Sequence, residues 1–194
     1  MARFTGFPKE TLGFLRDLEL NNRRDWFDAN KARYESLVRE PALDFIATMG
    51  PELQKISSHF VAIPKKVGGS LMRVYRDTRF ARDKTPYKTN IGIQFRHERG
   101  KDVHAPGYYV HIDNSGGFFG VGVWHPEPDA RRQIRQRIVD QPALWRKARQ
   151  SATFSRTFEL GGDSLKRPPR GISDDHPPRI LDLKRQDFIA VANF

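Results

Sequence analysis

The sequence predicts an α+β fold, with an antiparallel sheet of four or more strands, N-terminal helices packed on one face and further helices at its edge. Two observations lead to this prediction. Apolar residues recur every three or four positions in the first quarter of the chain, which is typical of amphipathic helices. Beyond residue 70 they alternate with polar residues in short segments divided by turn residues, which is typical of strands.

A chain of 194 residues has the length of a single domain. We therefore predict one domain with three parts along the chain. They are a helical layer (1–57), an antiparallel sheet (70–125) and a C-terminal part of helices and Pro-rich extended chain (126–194).

Three helices are predicted in the helical layer. The first has Pro8 at its start, where proline is favoured, and ends near residue 21. The second carries Trp26 on its apolar face. The third begins at Pro41 and is closed at Gly50-Pro51, with a short continuation to about residue 57.

Two antiparallel hairpins are predicted in the sheet. Leu71–Asp77 and Ile91–His97 flank the turn DKTPYK, and Gly107–Asp113 and Gly116–His125 are joined by a tight reversal. Alternation predicts the residues that face the core, which are Met72, Val74, Ile91, Ile93, Phe95, Tyr108, Val110, Ile112, Phe119, Val121 and Val123. The opposite, polar face is predicted to carry Arg73, Tyr75, Asp77, Arg96, Tyr109, His111 and Asp113.

Two glycines interrupt the last predicted strand. Gly120 and Gly122 leave a smooth strip that lets another group approach the backbone closely. We expect a helix to cover this strip, and a bound ligand is the alternative.

The first hairpin carries the densest positive charge in the sequence. Six cationic residues between positions 73 and 88 are opposed by Asp77 and Asp83, which gives a net charge of +4. Aromatic residues are interleaved with them, as in a pocket that positions arginine and lysine around an anion. The predicted ligand-binding residues are Arg73, Tyr75, Arg76, Arg79, Lys84, Lys88 and Arg96. The alternative is a solvated hairpin tip whose charges serve solubility.

The sequence contains no strong catalytic or cofactor-binding motif, such as a phosphate-binding loop, a dinucleotide fingerprint or a nucleophile elbow. We therefore predict no cofactor, and the pattern leaves open whether the protein is an enzyme. The candidates for acid or base chemistry are Asp77, Asp83, His111 and Asp113. A carboxylate among arginines can equally hold the guanidinium groups in place.

One pair of residues has the spacing of metal ligands. His111 and Asp113 share a strand face and could bind a cation together with His97 or His125. A strand histidine beside an aspartate is more often a hydrogen-bonded pair, so we predict no metal site.

A second basic run lies in a helix predicted after Pro126 and continues beyond Pro142. It comprises Arg131, Arg132, Arg135, Arg137, Arg146, Lys147 and Arg149. We expect a solvated helix face, and a nucleic-acid-binding surface is the alternative. Further on, the sequence predicts a Pro-stiffened extended loop and a short helix over Pro177–Gln186.

Charge and composition limit the classes of partner. Lys plus Arg exceed Asp plus Glu by 34 to 23, and the isoelectric point is near 10.2, which favours anionic partners. The absence of cysteine excludes disulfides and thiolate sites. Without a signal peptide or a long apolar run, a cytoplasmic protein that does not enter a membrane is expected.

These observations favour a protein that binds a phosphorylated or otherwise multiply anionic ligand through the hairpin, and they leave open whether it also acts on that ligand. Two alternatives stay open. One is a non-catalytic nucleic-acid-binding protein that uses the basic helix together with the hairpin. The other is a protein-interaction module with an exposed apolar patch around Phe118 and Trp124.

Several long motifs together resemble a known family. They are FPKETLGFLRDLELNNRRDWFDANKARYE, RVYRDTRFARDKTPYKTNIG, PGYYVHID, GVGVWHPEP and LKRPPRG. Over nearly the whole chain they resemble the bacterial and fungal family called domain of unknown function 2461, a set of conserved hypothetical proteins. The resemblance implies no activity, cofactor or catalytic residue. Because members of that family usually continue beyond the segment resembling DFIAV, exposed apolar surface is expected near Phe188, Ile189 and Phe194.

Overall fold

The structure, a computed structural model, describes residues 4–100, 105–172 and 179–194. The chain divides into two compact units. The N-terminal unit comprises Met1–Arg99, Tyr108–Phe119 and Asn193–Phe194, and the C-terminal unit comprises Gly100–Gly107 and Gly120–Ala192.

Six strands form one sheet. They are β1 (Phe60–Val61), β2 (Asn90–His97), β3 (Gly107–Asp113), β4 (Gly116–Val123), β5 (Glu159–Gly161) and β6 (Phe188–Asn193). Their order across the sheet is β1-β2-β3-β4-β6-β5, and the pairing is antiparallel. The α+β class and the antiparallel sheet are therefore confirmed. The sequence did not predict β1 or β5.

Helices precede and follow the central strands. The N-terminal unit contains α1 (Glu10–Leu20), α2 (Arg24–Ala29), α3 (Lys31–Tyr34), a π-helical turn (Glu35–Arg39) and α4 (Glu40–Ile56). The C-terminal unit contains α5 (Pro128–Asp140), α6 (Pro142–Gln150), α7 (Ala152–Thr157) and α8 (Ile180–Leu183). No helix in the described ranges has both the length and the apolar character that a membrane crossing requires.

The core of the N-terminal unit lies between its helices and the sheet. The buried residues come from both layers and are Phe14, Leu15, Leu18, Phe27, Tyr34, Val38, Ala42, Ile46, Leu53, Leu71, Val74, Tyr87, Ile91, Ile93, Phe95 and Val110. Burying one such apolar side chain contributes about 1.5–3 kcal/mol. The packing of the N-terminal helices on one face is confirmed, and so is the alternation of Ile91, Ile93 and Phe95 toward the core.

The first arm of the predicted hairpin is not a regular strand. It forms isolated bridges at Leu71–Ile93 and Tyr75–Tyr87. Between them the second arm contains two extra residues, because Met72 N–H bonds to Gly92 O whereas Val74 O accepts from Lys88 N–H. A bulge of this kind bends the chain and interrupts the ladder.

The bulge also makes one of the core predictions wrong. Leu71 and Val74, three residues apart, are both buried, whereas Met72 is only half-buried and lies against Gly92 on the other face. Alternation of period two holds only while the strand stays regular.

The predicted break of the third helix at Gly50-Pro51 is also wrong, because α4 runs through Pro51 without interruption. The predicted continuation to about residue 57 agrees with the end of α4 at Ile56. Proline removes one backbone hydrogen bond from a helix. Leu53, on the next turn, is 2% exposed and belongs to the same core as Ile46. Its burial offsets the lost hydrogen bond and keeps the last turn helical.

The C-terminal unit has buried apolar residues at Ile138, Leu183 and Ala190. It also buries Asp182, which accepts a 2.8 Å hydrogen bond from Trp145 Nε1 and pairs with Arg149. These contacts hold α6 to α8. The predicted extended loop began at Leu160, but Leu160 and Gly161 belong to β5, and the sequence did not predict α7. The predicted helix over Pro177–Gln186 corresponds to α8, and its first two residues lie outside the described residues.

Gly122 lies where the backbone of β4 meets that of β6. Its φ of +129° falls in a region that only glycine adopts readily, and an added Cβ would overlap the Phe188 carbonyl oxygen and lie 3.0 Å from Ile189 Cα. The smooth strip is thus covered at Gly122 by a neighbouring strand, and neither a helix nor a ligand is required there. At the chain end, Phe194 is 70% exposed.

We expect Gly122→Ala to lower the free energy of unfolding by about 3 kcal/mol, because the new methyl group would overlap backbone that cannot move aside. The matched control is Gly13→Ala on the exposed side of α1, where an added Cβ has no neighbour within 4 Å. That variant should be more stable by up to about 1 kcal/mol. Chemical denaturation measures both. Equal effects of the two variants would contradict the close strand approach.

Candidate functional site

The loop at the tip of the hairpin is closed by two ion pairs. Arg79 meets Asp77 in a bidentate contact, with Nε–Oδ1 and Nη2–Oδ2 distances of 3.0 and 2.7 Å. Arg76 donates to Asp83 and to the hydroxyl of Thr85. The bonds from Arg79 hold the pKa of Asp77 at about 2, and the bonds from Arg76 and Thr85 hold the pKa of Asp83 at about 2, both below the usual 3.8.

Lys84 also bonds within this loop, because its Nζ donates to the Thr78 carbonyl at 2.8 Å. Of the predicted ligand-binding residues, Arg76, Arg79 and Lys84 therefore come together, but they bond to loop groups. Tyr75 packs against Tyr87 with ring centroids 5.4 Å apart. The loop has the contacts of a self-contained structural turn.

Lys88 and Arg73 form a different arrangement at the base of the hairpin. Desolvation lowers the pKa of the half-buried Lys88 ammonium, and the charge of the exposed Arg73 lowers this pKa further. Neither side chain forms an ion pair with another described residue. Arg96 lies on β2 opposite Val61.

His111 is the centre of a polar cluster on β3. Its Nδ1 atom lies 3.1 Å from the Tyr109 hydroxyl and 3.3 Å from the Asn90 amide nitrogen, and its Nε2 atom lies 3.2 Å from Asp113 Oδ2. Phe118 stacks on the imidazole with a centroid distance of 4.9 Å. Both ring nitrogens are therefore engaged.

A single arrangement of protons fits the hydrogen bonds of this cluster. Burial raises the pKa of the Tyr109 hydroxyl, so this group stays protonated and can donate to Nδ1. Nε2–H then donates to Asp113. The side-chain and backbone groups of Ser115, followed by His111, lower the pKa of Asp113. Each polar group has a partner, and the imidazole has no free lone pair.

His111 and Asp113 form the hydrogen-bonded pair that the sequence favoured over a metal site. His97 stacks on His59, with ring centroids 5.1 Å apart, and His125 pairs with Asp187. In the described part of the chain, no three His, Cys, Asp or Glu side chains come close enough to hold a metal ion.

The C-terminal unit contains a cavity of about 700 Å³. Its wall includes one face of α5, the segment 165–172 and Gln186, and its charged lining residues are Arg131, Arg132, Arg135 and Arg170. No Asp or Glu lines it among the described residues. Apolar contacts come from Val139, Leu165 and Ile172. This combination of several cations with apolar walls is typical of a site for an anionic ligand.

The four arginines differ in how far their charge is compensated. Arg132 pairs with Asp129 at 2.8 Å, and Arg131 reaches the amide oxygen of Gln186 at 3.4 Å. Arg170 makes no hydrogen bond or ion pair with another described residue. Within the described ranges its guanidinium charge is therefore not compensated.

Arg135 lies in an unfavourable electrostatic environment. Desolvation lowers the pKa of its guanidinium group, and the charge of Arg131 lowers it further. Arg135 donates to the Arg185 carbonyl at 2.7 Å, but its buried Nε–H has no acceptor among the described residues. An unsatisfied buried donor costs about 1–3 kcal/mol, which an anion in the cavity would offset.

Next to this cavity in the chain, His125 and Asp187 form a dyad. The carboxylate of Asp187 is 1% exposed and accepts from His125 N–H at 2.7 Å, from His125 Nδ1 at 2.9 Å and from Asp163 N–H at 2.7 Å. Burial alone would raise the pKa of Asp187, but the N–H groups of Asp163 and His125 outweigh it and lower this pKa. Asp187 is therefore ionised at neutral pH.

The backbone at His125 is strained. With a φ of +47°, it is the one residue other than glycine with a positive φ in the described ranges. The left-handed conformation costs roughly 1–2 kcal/mol for such a residue. Strain of this kind is common at functional sites, where surrounding contacts impose it.

The sequence predicted neither the cavity nor the dyad as a site. One available signal was the four-residue spacing of Arg131 and Arg135, which places both on the same face of a helix. Local sequence contained no signal for the dyad, since His125 and Asp187 are 62 positions apart.

The fold and this site define an α+β protein with an arginine-lined cavity in its C-terminal unit. A family model described as conserved hypothetical protein (DUF2461) matches residues 10–194, and the chain belongs to this family. No curated protein and no solved structure shows significant similarity to the chain.

The ion pairs of the loop predict a specific titration behaviour. We expect carbon-detected NMR to give pKa values of about 2 for Asp77 and Asp83. Arg79→Ala should return the Asp77 pKa toward 3.8 and leave Asp83 low, and Arg76→Ala should do the reverse. Values near 3.8 for both carboxyls in the unmodified protein would contradict the ion pairs.

The sign of the stability effect follows from these pKa values. Because both are lower in the folded protein, the pairs stabilise it fully above about pH 4, and this contribution is lost as the pH falls toward about 2.

Proposed function

We propose that the protein binds a phosphorylated or otherwise multiply anionic small molecule in the arginine-lined cavity of its C-terminal unit. The observation that carries this proposal is the set of four arginines around about 700 Å³, without an acidic lining residue in the described part of the chain. Such a volume accommodates a ligand of ordinary metabolite size.

The character of the lining supports an anion with an apolar or heterocyclic portion. Arginine presents a planar set of donors that fits phosphate and carboxylate oxygens in pairs. Val139, Leu165 and Ile172 would contact the less polar part of the ligand. Arg170, whose charge no described residue compensates, and Arg135, whose Nε–H has no acceptor in the described ranges, are the groups that gain most from an anion.

The sequence alone had suggested that an anionic ligand binds at the hairpin. Arg76 and Arg79 are neutralised there by Asp83 and Asp77, so they have less to gain from a ligand than the cavity arginines. No described residue pairs with the charge of Lys88 or Arg73, and binding at the hairpin remains a prediction that the same experiment tests.

Nucleic-acid binding is the second candidate function. Phe80, at the tip of the hairpin loop, is almost fully exposed, and the Arg79 guanidinium carbon lies 5.9 Å from its ring centroid. An exposed aromatic ring beside arginine can stack on a nucleic-acid base.

We expect titration calorimetry with pyrophosphate and a panel of nucleotides and sugar phosphates to detect binding. Arg170→Ala and Arg131→Ala should each weaken it by about 10- to 100-fold, the loss of one charge-assisted hydrogen bond. The matched control is Arg137→Ala, on the exposed side of α5, which should bind as the unmodified protein does.

Other outcomes separate the alternatives. Loss of binding in Arg79→Lys or Asp77→Asn, with Arg170→Ala unaffected, would move the site to the hairpin. Binding of short oligonucleotides alone, weakening with salt by a log-log slope near 0.9 or 0.7 per phosphate contact, would favour the nucleic-acid candidate. No binding of any anion would reject the proposed function.

A further inference from the structure

We propose that His125 is a phosphoryl-accepting nucleophile, held ready by the buried carboxylate of Asp187. The phosphoryl donor would be a small phosphorylated molecule of the kind the arginine-lined cavity can hold. In this respect the inference rests on the proposed function, but the reactivity of His125 can be measured independently of ligand binding.

The hydrogen bonds of His125 determine which nitrogen can react. Nδ1 lies 2.9 Å from Asp187 Oδ1, and an ionised carboxylate can only accept, so Nδ1 carries the proton. The lone pair of the neutral ring is then on Nε2. Nε2 makes no hydrogen bond to a described residue, and the His125 side chain is 46% exposed.

The orientation of the ring is tightly held. The same carboxylate oxygen accepts the backbone N–H and the ring Nδ1–H of His125, which ties the side chain to its own backbone. Trp124 packs on one face of the imidazole with a centroid distance of 4.1 Å. The left-handed backbone at His125 makes this arrangement possible. The chain thus adopts an unfavourable conformation that presents Nε2 outward.

Neither His125 nor Asp187 lines the cavity, but both lie close in the chain to residues that do. Gln186, which lines the cavity, is joined directly to Asp187, so their Cα atoms are about 3.8 Å apart. Pro128, another lining residue, follows His125 by three positions. On this proposal, a phosphoryl group held by Arg131 or Arg170 would reach the imidazole.

The chemical step is a direct displacement at phosphorus. The Nε2 lone pair forms the N–P bond, while the P–O bond to the leaving group breaks and that oxygen departs with the bonding electrons. The ring keeps its Nδ1 proton and becomes positively charged. Asp187 stays ionised and stabilises this charge, as a buried carboxylate does beside an imidazolium.

His59 provides a matched comparison within the same molecule. Its Nδ1 atom lies 2.8 Å from a carboxylate oxygen of Glu98, and its side chain is 55% exposed. The two histidine–carboxylate pairs differ in the exposure of the carboxylate side chain, which is 46% for Glu98 and 1% for Asp187. A solvated carboxylate orients and stabilises the ring less than a buried one.

To test this, the full chain is incubated with phosphoramidate. Phosphorylation of each histidine is followed by phosphorus NMR and by mass spectrometry of peptides under alkaline conditions. We expect His125 to be phosphorylated at least about tenfold faster than His59, a smaller factor than the roughly 100-fold or more that a positioned acid or base contributes. Asp187→Asn should remove this preference, and Glu98→Gln should change the rate at His59 little. His125→Asn, which tolerates the left-handed backbone, should remove the fast phase and leave the fold intact.

Equal rates at His125 and His59 in the unmodified protein would overturn the proposal. So would an unchanged rate at His125 in a folded Asp187→Asn variant. If that variant does not fold, the ratio of the two rates in the unmodified protein decides. Fast labelling without pyrophosphate binding would retain the nucleophile and reject the cavity as its donor site. Binding without fast labelling would leave the proposed function in place and reject the nucleophile.

Discussion

The carboxylate of Asp187 is the contact on which the C-terminal unit depends. It accepts N–H groups from His125, which follows β4, and from Asp163, which follows β5, and it lies immediately before β6. Three strand ends therefore meet at one buried anion. A buried carboxylate is tolerated only when hydrogen bonds replace its water, and here backbone groups and one imidazole do so. The left-handed conformation at His125 accompanies this contact, in which one carboxylate oxygen meets both the backbone N–H and the ring Nδ1 of the same residue.

The chain compensates its excess of positive charge in two different ways. In the hairpin loop, Arg76 and Arg79 each have a carboxylate supplied from the same few residues. Around the cavity, Arg131, Arg135 and Arg170 have neutral partners or none in the described part of the chain. Paired charges define local structure, whereas unpaired ones clustered at a concave surface attract an external anion. The density of arginine in sequence therefore does not reveal which arginines have a carboxylate partner in the fold.

The cluster around His111 shows the same distinction for a histidine. His111 and His125 both have an aspartate partner, but Tyr109 and Asn90 also engage the second nitrogen of His111. Both ring nitrogens of His111 therefore have hydrogen-bond partners on the polar face of the sheet, and its role is structural. His125 keeps one nitrogen without a described partner. The environment of the second nitrogen, and not the His-Asp pair itself, separates a structural histidine from a reactive one.

Much of the fold of the N-terminal unit could be predicted from the sequence, because periodicity alone reveals which side of a regular element is buried. This is why Ile91, Ile93 and Phe95 were correctly predicted as core residues. The prediction failed where an irregularity interrupts the period. Met72 was misplaced because of the bulge in its hairpin. A break at Gly50-Pro51 was wrongly predicted because burial of Leu53 outweighs the effect of the proline.

The sequence by itself determined the α+β class, the order of most helices and strands, the basic character of the chain and its family. Tertiary structure alone decided which charges are paired, that Arg170 lines the same cavity as Arg131, and that Asp187 meets a histidine 62 positions away. The physical reason is the distance along the chain between the residues that interact. Helices and strands follow from interactions between residues a few positions apart, whereas the partners of a charged group depend on how distant segments pack.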